Sequence, residues 1–319
     1  MKAIGLTEFG GPEVLHVVEV PEPEPGLGEV RIRVHTAGVN PADITFRSGG
    51  CTTQLATGTP PYIPGIDACG TVDALGTGLD GRLAIGDRVV AVVIPTGPYG
   101  GAYAEWIVAD ARSVVHAPAG VGDAEAATLL LNALTAQLAL DALELEQGRP
   151  VAITGGTGAV GGYAIQIAAL RGLTTITDAA SGDESLLRHL GADYVVARGA
   201  TMTDRIRGTV PGGVPGLVDG ADLRDAVLPA VADHGTIASL KGWSGPAERG
   251  IRVAAVSSLD AFTDTGLLST LVSLATAHRL TLRVADVLPA ARAGEAHRRL
   301  AAGRVQGRLV LDFLLGPLS

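Results

Sequence analysis

A glycine-rich turn at residues 156–161 constrains the fold of this chain more than any other feature of its sequence. It has the pattern G-x-G-x-x-G, follows a predicted buried strand at residues 150–154 and precedes a predicted helix at residues 162–170. Such a turn between a strand and a helix is the fingerprint of a dinucleotide-binding βαβ unit. Six residues are therefore candidate phosphate contacts: Gly156, Thr157, Gly158, Ala159, Val160 and Gly161.

Each glycine of the turn has a separate physical reason. Gly156 permits the tight turn, Gly158 lets the backbone approach a pyrophosphate without a Cβ in between, and Gly161 permits close packing of strand and helix. The first N–H groups of the helix and its positive dipole then favour phosphate. Because the chain contains 44 glycines, an ordinary glycine-rich turn is the alternative, and the βαβ context favours the dinucleotide site.

Strands and helices continue to alternate after the turn. Further strands are predicted at residues 174–178, 194–196, 216–219 and 235–239, and helices at 183–190 and 223–232. This alternation predicts a parallel, doubly wound sheet with right-handed crossovers, the Rossmann architecture, over residues 131–258. The apolar segment 251–256 is expected to form its edge strand.

The segments on either side of this region have a different character. Residues 1–118 contain strands and turns, such as the alternating polar and apolar residues of 29–34, and predict a β-rich domain with a partly open barrel. A helical region follows at residues 124–143. After residue 258 we expect helices at 267–278 and 293–302 and strands at 281–285 and 308–313. The predicted fold class is therefore α/β.

Charge and cysteine content disfavour several classes of function. The net charge of −9 argues against binding to nucleic acid or to anionic membranes. The two cysteines, Cys51 and Cys69, cannot form a disulfide framework, and residues 1–11 show no signal peptide, so we expect a cytoplasmic protein. Residues 151–170 lack charge, but five of these twenty residues are Gly, which favours a strand, turn and helix over a membrane span.

The end of the second strand bears on the choice of cofactor. Asp178 lies 22 residues after Gly156, where a carboxylate can accept a hydrogen bond from the adenosine ribose of NAD and repel a 2′-phosphate. Ser181 could instead donate to that phosphate. If Asp178 precedes the tip of the strand by one residue, its side chain points to the other face of the sheet and does neither.

Several short motifs occur in the order found in one enzyme family: Ala37-Gly-Val-Asn-Pro-Ala-Asp43, Pro64-Gly-Ile-Asp67, Gly86-Asp-Arg-Val89, Gly101-Ala-Tyr-Ala-Glu105, Leu134-Thr-Ala136, Leu190-Gly-Ala-Asp193 and Gly307-Arg-Leu-Val310. With the glycine-rich turn, they resemble the zinc-independent quinone oxidoreductase branch of the medium-chain dehydrogenase/reductase superfamily, which includes zeta-crystallin. The resemblance extends from Met1 to about Leu311. It implies a GroES-like catalytic domain at 1–130 and 259–319, with the Rossmann domain, 131–258, inserted and the active site in the cleft.

The resemblance also argues against a catalytic zinc ion. Zinc-bearing relatives have a Cys ligand where this chain has Asn40, and a Gly-His-Glu sequence where it has Gly65, Ile66 and Asp67. Ile66 has no lone pair for a metal, Asn40 is no thiolate, and two cysteines cannot supply a four-Cys site. Without a Lewis acid, hydride is better delivered to an acceptor that delocalises charge, such as a quinone or an α,β-unsaturated carbonyl.

Individual residues acquire candidate roles from the same resemblance. Asn40 is the candidate donor to the oxyanion that develops on the substrate, with a turn amide before Pro41 as the alternative. Thr135 is expected near the nicotinamide, with a helix N-cap as the alternative. Ser239 ends the strand expected under the nicotinamide, and Lys241 follows it. Lys241 could bind a phosphate or an acidic substrate, or be a solvated loop lysine.

The expected function is reduction of a small electrophilic substrate by a homodimer that pairs through the edge strand at 251–256. The family alignment places Ala179 at the strand tip, which favours NADPH, with NADH as the alternative cofactor. Many relatives have Tyr where this chain has Thr45 and Cys51, and Asp43 with Arg47 could form a local pair without a catalytic role. Two other functions stay open: an enoyl-thioester or biosynthetic tailoring reductase, and a nucleotide-binding sensor or structural protein without turnover.

Overall fold

The computed structural model describes residues 1–55, 58–246, 248–316 and 318. Contacts between residues divide the chain into two units, each made of more than one segment. Unit 1 comprises Met1–Leu131, Leu259–Ala277 and Leu282–Ser319. Unit 2 comprises Asn132–Ser258 and His278–Thr281.

The strands, in chain order, are β1 (Lys2–Gly5), β2 (His16–Glu19), β3 (Glu29–Val39), β4 (Asp67–Leu75), β5 (Arg88–Val92), β6 (Trp106–Asp110), β7 (Val114–His116), β8 (Pro150–Thr154), β9 (Thr174–Ala179), β10 (Tyr194–Ala197), β11 (Val214–Asp219), β12 (Val231–Ser239), β13 (Arg252–Ala255), β14 (Val284–Pro289) and β15 (Arg308–Asp312). The α-helices are α1 (Pro41–Arg47), α2 (Asp123–Ala126), α3 (Leu130–Asp141), α4 (Ala159–Leu170), α5 (Glu184–His189), α6 (Met202–Thr209), α7 (Thr265–Thr276) and α8 (Ala293–Ala302). Short 3-10 helices lie at Pro12–Val14, Thr52–Gln54, Ala111–Ser113, Arg224–Ala230, Leu259–Ala261 and Ala290–Arg292.

Unit 1 is organised around a mainly antiparallel sheet with the strand order β14-β15-β3-β4-β5-β7, and β6 also pairs with β3. The C-terminal strand β15 runs antiparallel to β3, with Leu309 opposite Val39 and Asp312 opposite Thr36. The end of the chain therefore completes a sheet that the N-terminal segment begins. Helix α1 starts directly after β3, which places Asn40 at the junction of strand and helix.

Unit 2 contains a six-stranded sheet with the order β10-β9-β8-β11-β12-β13. Every adjacent pair in it is parallel. With β8 as the first strand and β11 as the fourth, this is the strand order of a doubly wound Rossmann sheet. The direction in which successive strands are added to the sheet reverses between β8 and β11. The predicted α/β class and the predicted parallel sheet are confirmed. Ligands of such sheets bind at the carboxyl ends of the strands beside this reversal.

Helix α4 explains the long uncharged segment of the sequence. Nine of its twelve residues are buried, among them Tyr163, Ile165 and Ile167. A helix that is apolar on every side belongs in the interior of an α/β layer. Across the ranges that the structure describes, no helix combines the length and the apolar character needed to cross a bilayer.

Three predicted elements differ from the structure. The helical region at 124–143 is two helices, α2 and α3. The helix predicted at 223–232 is a 3-10 helix, Arg224–Ala230, followed at once by β12. It contains Pro229, which lacks the N–H that an α-helix would use there. The strand predicted at 281–285 begins three residues later, at Val284, where pairing with Arg308 of β15 starts.

Candidate active site

The glycine-rich turn joins β8 to α4 at the carboxyl edge of the parallel sheet. β8 ends at Thr154, and Gly158 is the N-cap residue of α4. The turn is closed by a hydrogen bond of 2.9 Å from the N–H of Gly158 to the carbonyl oxygen of Gly155. The backbone at Gly158 therefore lies at the N-terminus of a twelve-residue helix, where first-turn N–H groups and the helix dipole favour an anion.

The three glycines of the motif differ in what an added side chain would meet. A Cβ at Gly156 would overlap with Oγ1 of Thr177, and a Cβ at Gly161 would overlap with the carbonyl oxygen of Gly155. At Gly158 that same oxygen lies 3.2 Å away, and among the described residues other than its chain neighbours no further atom lies within 4 Å. Packing of the protein itself thus requires Gly156 and Gly161, whereas Gly158 borders open space. Phosphate binding by this turn stays a prediction, and this geometry agrees with it.

Asp178 does not end its strand, because β9 continues to Ala179. Its side chain is only 2% exposed. The carboxylate accepts a hydrogen bond of 2.9 Å from the N–H of Gly155 and one of 2.5 Å from Nε of Arg198. The strand therefore has the register that the family alignment suggested. The carboxylate supports the glycine-rich turn and binds an arginine, so its negative charge is balanced within the protein.

Arg198 is a candidate site residue that the sequence analysis missed. It directly follows β10, whose last residue, Ala197, lies opposite Ala179 of β9. Its guanidinium is 46% exposed, although its partner Asp178 is buried. No local sequence pattern joins Arg198 to Asp178, because Arg198 comes from the next strand of the sheet. The available signal is a basic residue at the carboxyl end of a neighbouring parallel strand. Ser181 is exposed in the turn after β9.

The residues predicted for the nicotinamide half have the following positions. Thr135 is half-buried inside α3, so it is not a helix N-cap. Ser239 ends β12, is 2% exposed, and its Oγ accepts the N–H of Trp243 at 3.1 Å. Lys241 is 56% exposed and forms an ion pair of 3.7 Å with Asp222. Contacts of these residues with a cofactor stay predictions.

Asn40 is the central residue of a buried polar cluster in unit 1. It is 1% exposed, and its Nδ2 donates a hydrogen bond of 2.8 Å to Oδ1 of Asp67, which is equally buried. Its backbone N–H donates to Oδ2 of Asp43 at 2.7 Å. The Oδ1 atom of Asn40 has no hydrogen-bond partner among the described residues. One N–H of the carboxamide is therefore already used, and its oxygen is not.

Asp43 links Asn40 to the surrounding backbone and to an aromatic ring. Its carboxylate also accepts the N–H of Gly65 at 3.1 Å and the hydroxyl of Tyr103 at 3.2 Å. Burial raises the pKa of Asp43 to about 7, although these hydrogen bonds lower it. Within the described part of the chain, the local pair with Arg47 suggested by the sequence does not form, and the carboxylate of Asp43 faces the N–H groups of Asn40 and Gly65 and the hydroxyl of Tyr103 instead.

The two positions compared with zinc ligands, Asn40 and Ile66, have neither a thiolate nor an imidazole. Ile66 is 7% exposed and apolar, and it precedes Asp67 at the start of β4. Over residues 1–55, 58–246, 248–316 and 318, no group of three or more His, Cys, Asp or Glu side chains could hold a metal ion. Thr45, at one of the lost Tyr positions, donates its hydroxyl to the carbonyl oxygen of Pro41 at 3.3 Å. Independence from zinc stays a prediction.

Comparison with known proteins extends over nearly the whole chain. Residues 26–119 match the family described as alcohol dehydrogenase GroES-like domain, and residues 190–311 match that described as zinc-binding dehydrogenase. The quinone oxidoreductase of Pseudomonas aeruginosa is 31% identical over 97% of this chain and 99% of that protein. The quinone oxidoreductase of Sus scrofa is 34% identical over 66% of this chain and 63% of that protein. The solved structure of mycobacterial Rv1454c complexed with NADPH is 31% identical, has a TM-score of 0.84, and aligns over 98% of this chain and 100% of that one.

Proposed function

Because the chain belongs to the quinone oxidoreductase branch of the medium-chain dehydrogenase/reductase superfamily, we propose that it transfers hydride from NAD(P)H to a small electrophile, a quinone or an α,β-unsaturated carbonyl. The observation that carries the proposal is the glycine-rich turn. It joins β8 to α4 beside the reversal of the Rossmann sheet, and an added Cβ at Gly158 would meet only the carbonyl oxygen of Gly155 outside its own chain neighbours. Full-length similarity to a quinone oxidoreductase supports the substrate class. The same similarity favours reduction of a quinone or an α,β-unsaturated carbonyl over reduction of a thioester substrate, and over a sensor without turnover.

We propose NADPH as the preferred cofactor. The guanidinium of Arg198 is about half exposed at the carboxyl end of β10, and only its Nε is bound to Asp178. Its other N–H groups could donate to a 2′-phosphate, and an arginine suits such an oxyanion. Asp178 is buried and paired, so it offers little repulsion to that phosphate. The exposed hydroxyl of Ser181 is a second candidate donor. NADH is the alternative cofactor.

The catalytic step is proposed to need no metal, because Asn40 and Ile66 do not fit a zinc site. When bound, the reduced nicotinamide supplies the hydride. The chain then needs to stabilise negative charge on the substrate oxygen, which hydrogen-bond donors can do. Asn40 can provide one donor, because one N–H of its carboxamide is available after the bond to Asp67. Thr135 is a second candidate through its hydroxyl.

We also propose a cytoplasmic homodimer. The sheet of unit 2 ends at β13, which pairs with β12 on one side. An edge strand of this kind can pair with the same strand of a second copy. Cys51 and Cys69 are both free thiols, which agrees with a reducing compartment.

The proposal is tested by mixing the purified protein with NADPH or NADH and a panel of quinones and enones. We expect oxidation of NADPH that requires the acceptor. The matched control is Gly158→Val, which should fold and lose activity because its side chain fills the phosphate position. Binding of NADPH without oxidation by any acceptor would instead support a nucleotide sensor and contradict the proposed reaction.

Arg198→Ala tests the cofactor proposal separately. We expect KM for NADPH to rise roughly tenfold or more, about 1.4 kcal/mol or more of lost binding, with KM for NADH nearly unchanged. Arg188→Ala is the matched control, since Arg188 is also about half exposed but pairs with Glu184 within α5. An equal loss for both cofactors, or a strong preference for NADH in the unchanged protein, would overturn the assignment of Arg198.

A further inference from the structure

The carboxamide of Asn40 and the carboxylate of Asp67 form a buried pair with two unused atoms. Nδ2 of Asn40 donates to Oδ1 of Asp67 at 2.8 Å, and each residue is 1% exposed. Among the described residues, Oδ1 of Asn40 and Oδ2 of Asp67 have no hydrogen-bond partner. Leaving a buried polar atom unpaired costs roughly 1–3 kcal/mol. Each of these two oxygens can therefore accept a further hydrogen bond.

A glycine on the neighbouring strand leaves room for the carboxylate of Asp67. Asp67 is the first residue of β4, and Gly38 lies on β3 beside it. A Cβ at position 38 would lie 2.7 Å from Oδ1 of Asp67 and 3.0 Å from the carbonyl oxygen of Ala127. The carboxylate thus packs against bare backbone, and any larger residue at position 38 would displace it. Its position relative to Asn40 is set by the sheet.

Asp67 interacts with a buried arginine and with two other buried acidic groups. Burial raises the pKa of Asp67 to about 6, while the positive charge of Arg308, the hydrogen bond from Asn40 and backbone hydrogen bonds from Asp67 itself and Leu131 lower it. Arg308 is 4% exposed and donates from Nη1 to the carbonyl oxygen of Val39 at 3.1 Å. The other titratable groups that interact with Asp67 are Asp43 and Tyr103. At neutral pH Asp67 is therefore mainly ionised.

We propose that Asp67 is a positioning residue, which holds the carboxamide of Asn40 in one of its two orientations. This inference rests on the proposed function, in which Asn40 contacts the substrate or cofactor. An ionised carboxylate only accepts hydrogen bonds, so it must face the nitrogen of the amide. The oxygen of Asn40 then points away from Asp67. The second N–H is held in a fixed direction as well.

When Asp67 is protonated, it no longer fixes the orientation of the Asn40 carboxamide. A neutral carboxyl group carries an O–H that can donate to Oδ1 of Asn40, so the amide can turn over and either orientation is satisfied. The second N–H of Asn40, the proposed donor to the substrate oxygen, then has no fixed direction. Activity that depends on the orientation of Asn40 is therefore present above the pKa of Asp67 and lost as the pH falls through about 6.

An NMR measurement tests the orientation without relying on turnover. The chain contains two asparagines, Asn40 and Asn132, so selective ¹⁵N-asparagine labelling gives two side-chain amide groups, and Asn40→Ala assigns them. We expect the Asn40 amide signals to shift as the pH falls through about 6, and to lose this response in Asp67→Asn. A response above pH 6 from Asp43, whose pKa is about 7, should persist in that variant. No shift of the Asn40 signals near pH 6, or the same shift in Asp67→Asn, would overturn the proposal.

A double-mutant cycle with Asn40→Ala and Asp67→Asn tests the consequence for catalysis. We expect Asp67→Asn to lower kcat roughly tenfold, with a smaller change in KM, and to have little further effect when Asn40 is already Ala. If the fold-reductions in kcat of the two single variants multiply in the double variant, Asp67 acts independently of Asn40, and this would refute a positioning role. Absence of turnover in the unchanged protein would contradict the proposed function instead, and the NMR result would still decide the orientation.

Discussion

Within the glycine-rich turn, Gly158 is expected to contact the cofactor, whereas Gly161 is required by packing. Comparing Gly158→Val with Gly161→Ala tests this difference. At Gly158 the backbone has φ −71°, which any residue can adopt, and a Cβ would meet one atom, the carbonyl oxygen of Gly155 at 3.2 Å. At Gly161 a Cβ would overlap with that same oxygen, which is backbone and cannot rotate away. Gly158→Val should therefore mainly weaken binding of the cofactor, and Gly161→Ala should mainly weaken stability.

The expected magnitudes follow from these contacts. Valine at the N-cap position needs a shift of a few tenths of an ångström and is a poorer cap than glycine, so we expect a loss of about 1 kcal/mol in unfolding free energy. Alanine at position 161 forces strand and helix apart, which typically costs about 1–3 kcal/mol. For NADPH binding, the valine side chain takes the space of the pyrophosphate. We expect the Kd of Gly158→Val for NADPH to rise roughly a hundredfold, about 3 kcal/mol of lost binding free energy.

The assay combines urea unfolding of both variants with calorimetric titration of NADPH into the folded proteins. Gly158→Val should unfold close to the unchanged protein and show almost no heat of binding. Gly161→Ala should unfold at lower urea and retain binding where it is folded. Near-normal affinity for NADPH in folded Gly158→Val would refute the placement of phosphate at this turn.

Three further predictions concern stability, metal content and assembly. Burial raises the pKa of Asp43 to about 7 and of Asp67 to about 6, from a usual value of 3.8, so the folded chain holds these protons more tightly than the unfolded chain. Buried His297 acts in the opposite direction below pH 6.5, because burial lowers its pKa to about 3. The unfolding free energy should therefore show a net rise of about 2 kcal/mol as the pH falls from above 7 toward about 5, and a fall over this range in urea unfolding would count against the burial of these carboxyls. Elemental analysis should find no stoichiometric zinc, and one tightly bound equivalent whose removal abolishes activity would contradict this. Light scattering should give the mass of a dimer at micromolar concentration and a lower mass for Val253→Asp in β13, whereas a monomer mass for the unchanged protein would exclude the edge-strand dimer.

Much of unit 2 could be predicted because its signals are local in sequence. The glycine-rich turn, the short apolar strands and the helices between them lie in consecutive segments, and the handedness of parallel crossovers then leaves few strand orders. The error at 223–232 has a local cause as well. Pro229 falls inside the predicted helix, and the segment after it joins the sheet as β12.

The site was less predictable because its contacts join distant residues. Arg198 reaches Asp178 across two neighbouring strands, 20 positions apart in the chain. Asp67 reaches Asn40 over 27 positions, and the sequence presented it only as the residue after a lost zinc ligand. Such partners depend on register between strands, which side-chain patterns within one strand do not specify.

The measurement that tests the central claim most directly is anaerobic turnover of a quinone and of an enone with NADPH deuterated at C4 of the nicotinamide. Direct hydride transfer predicts slower turnover than with unlabelled NADPH when the transferred position carries deuterium. It also predicts deuterium at the β-carbon of the reduced enone. Oxidation of NADPH without deuterium in the enone product from either C4 epimer, or no acceptor-dependent oxidation with any quinone or enone, would contradict the account.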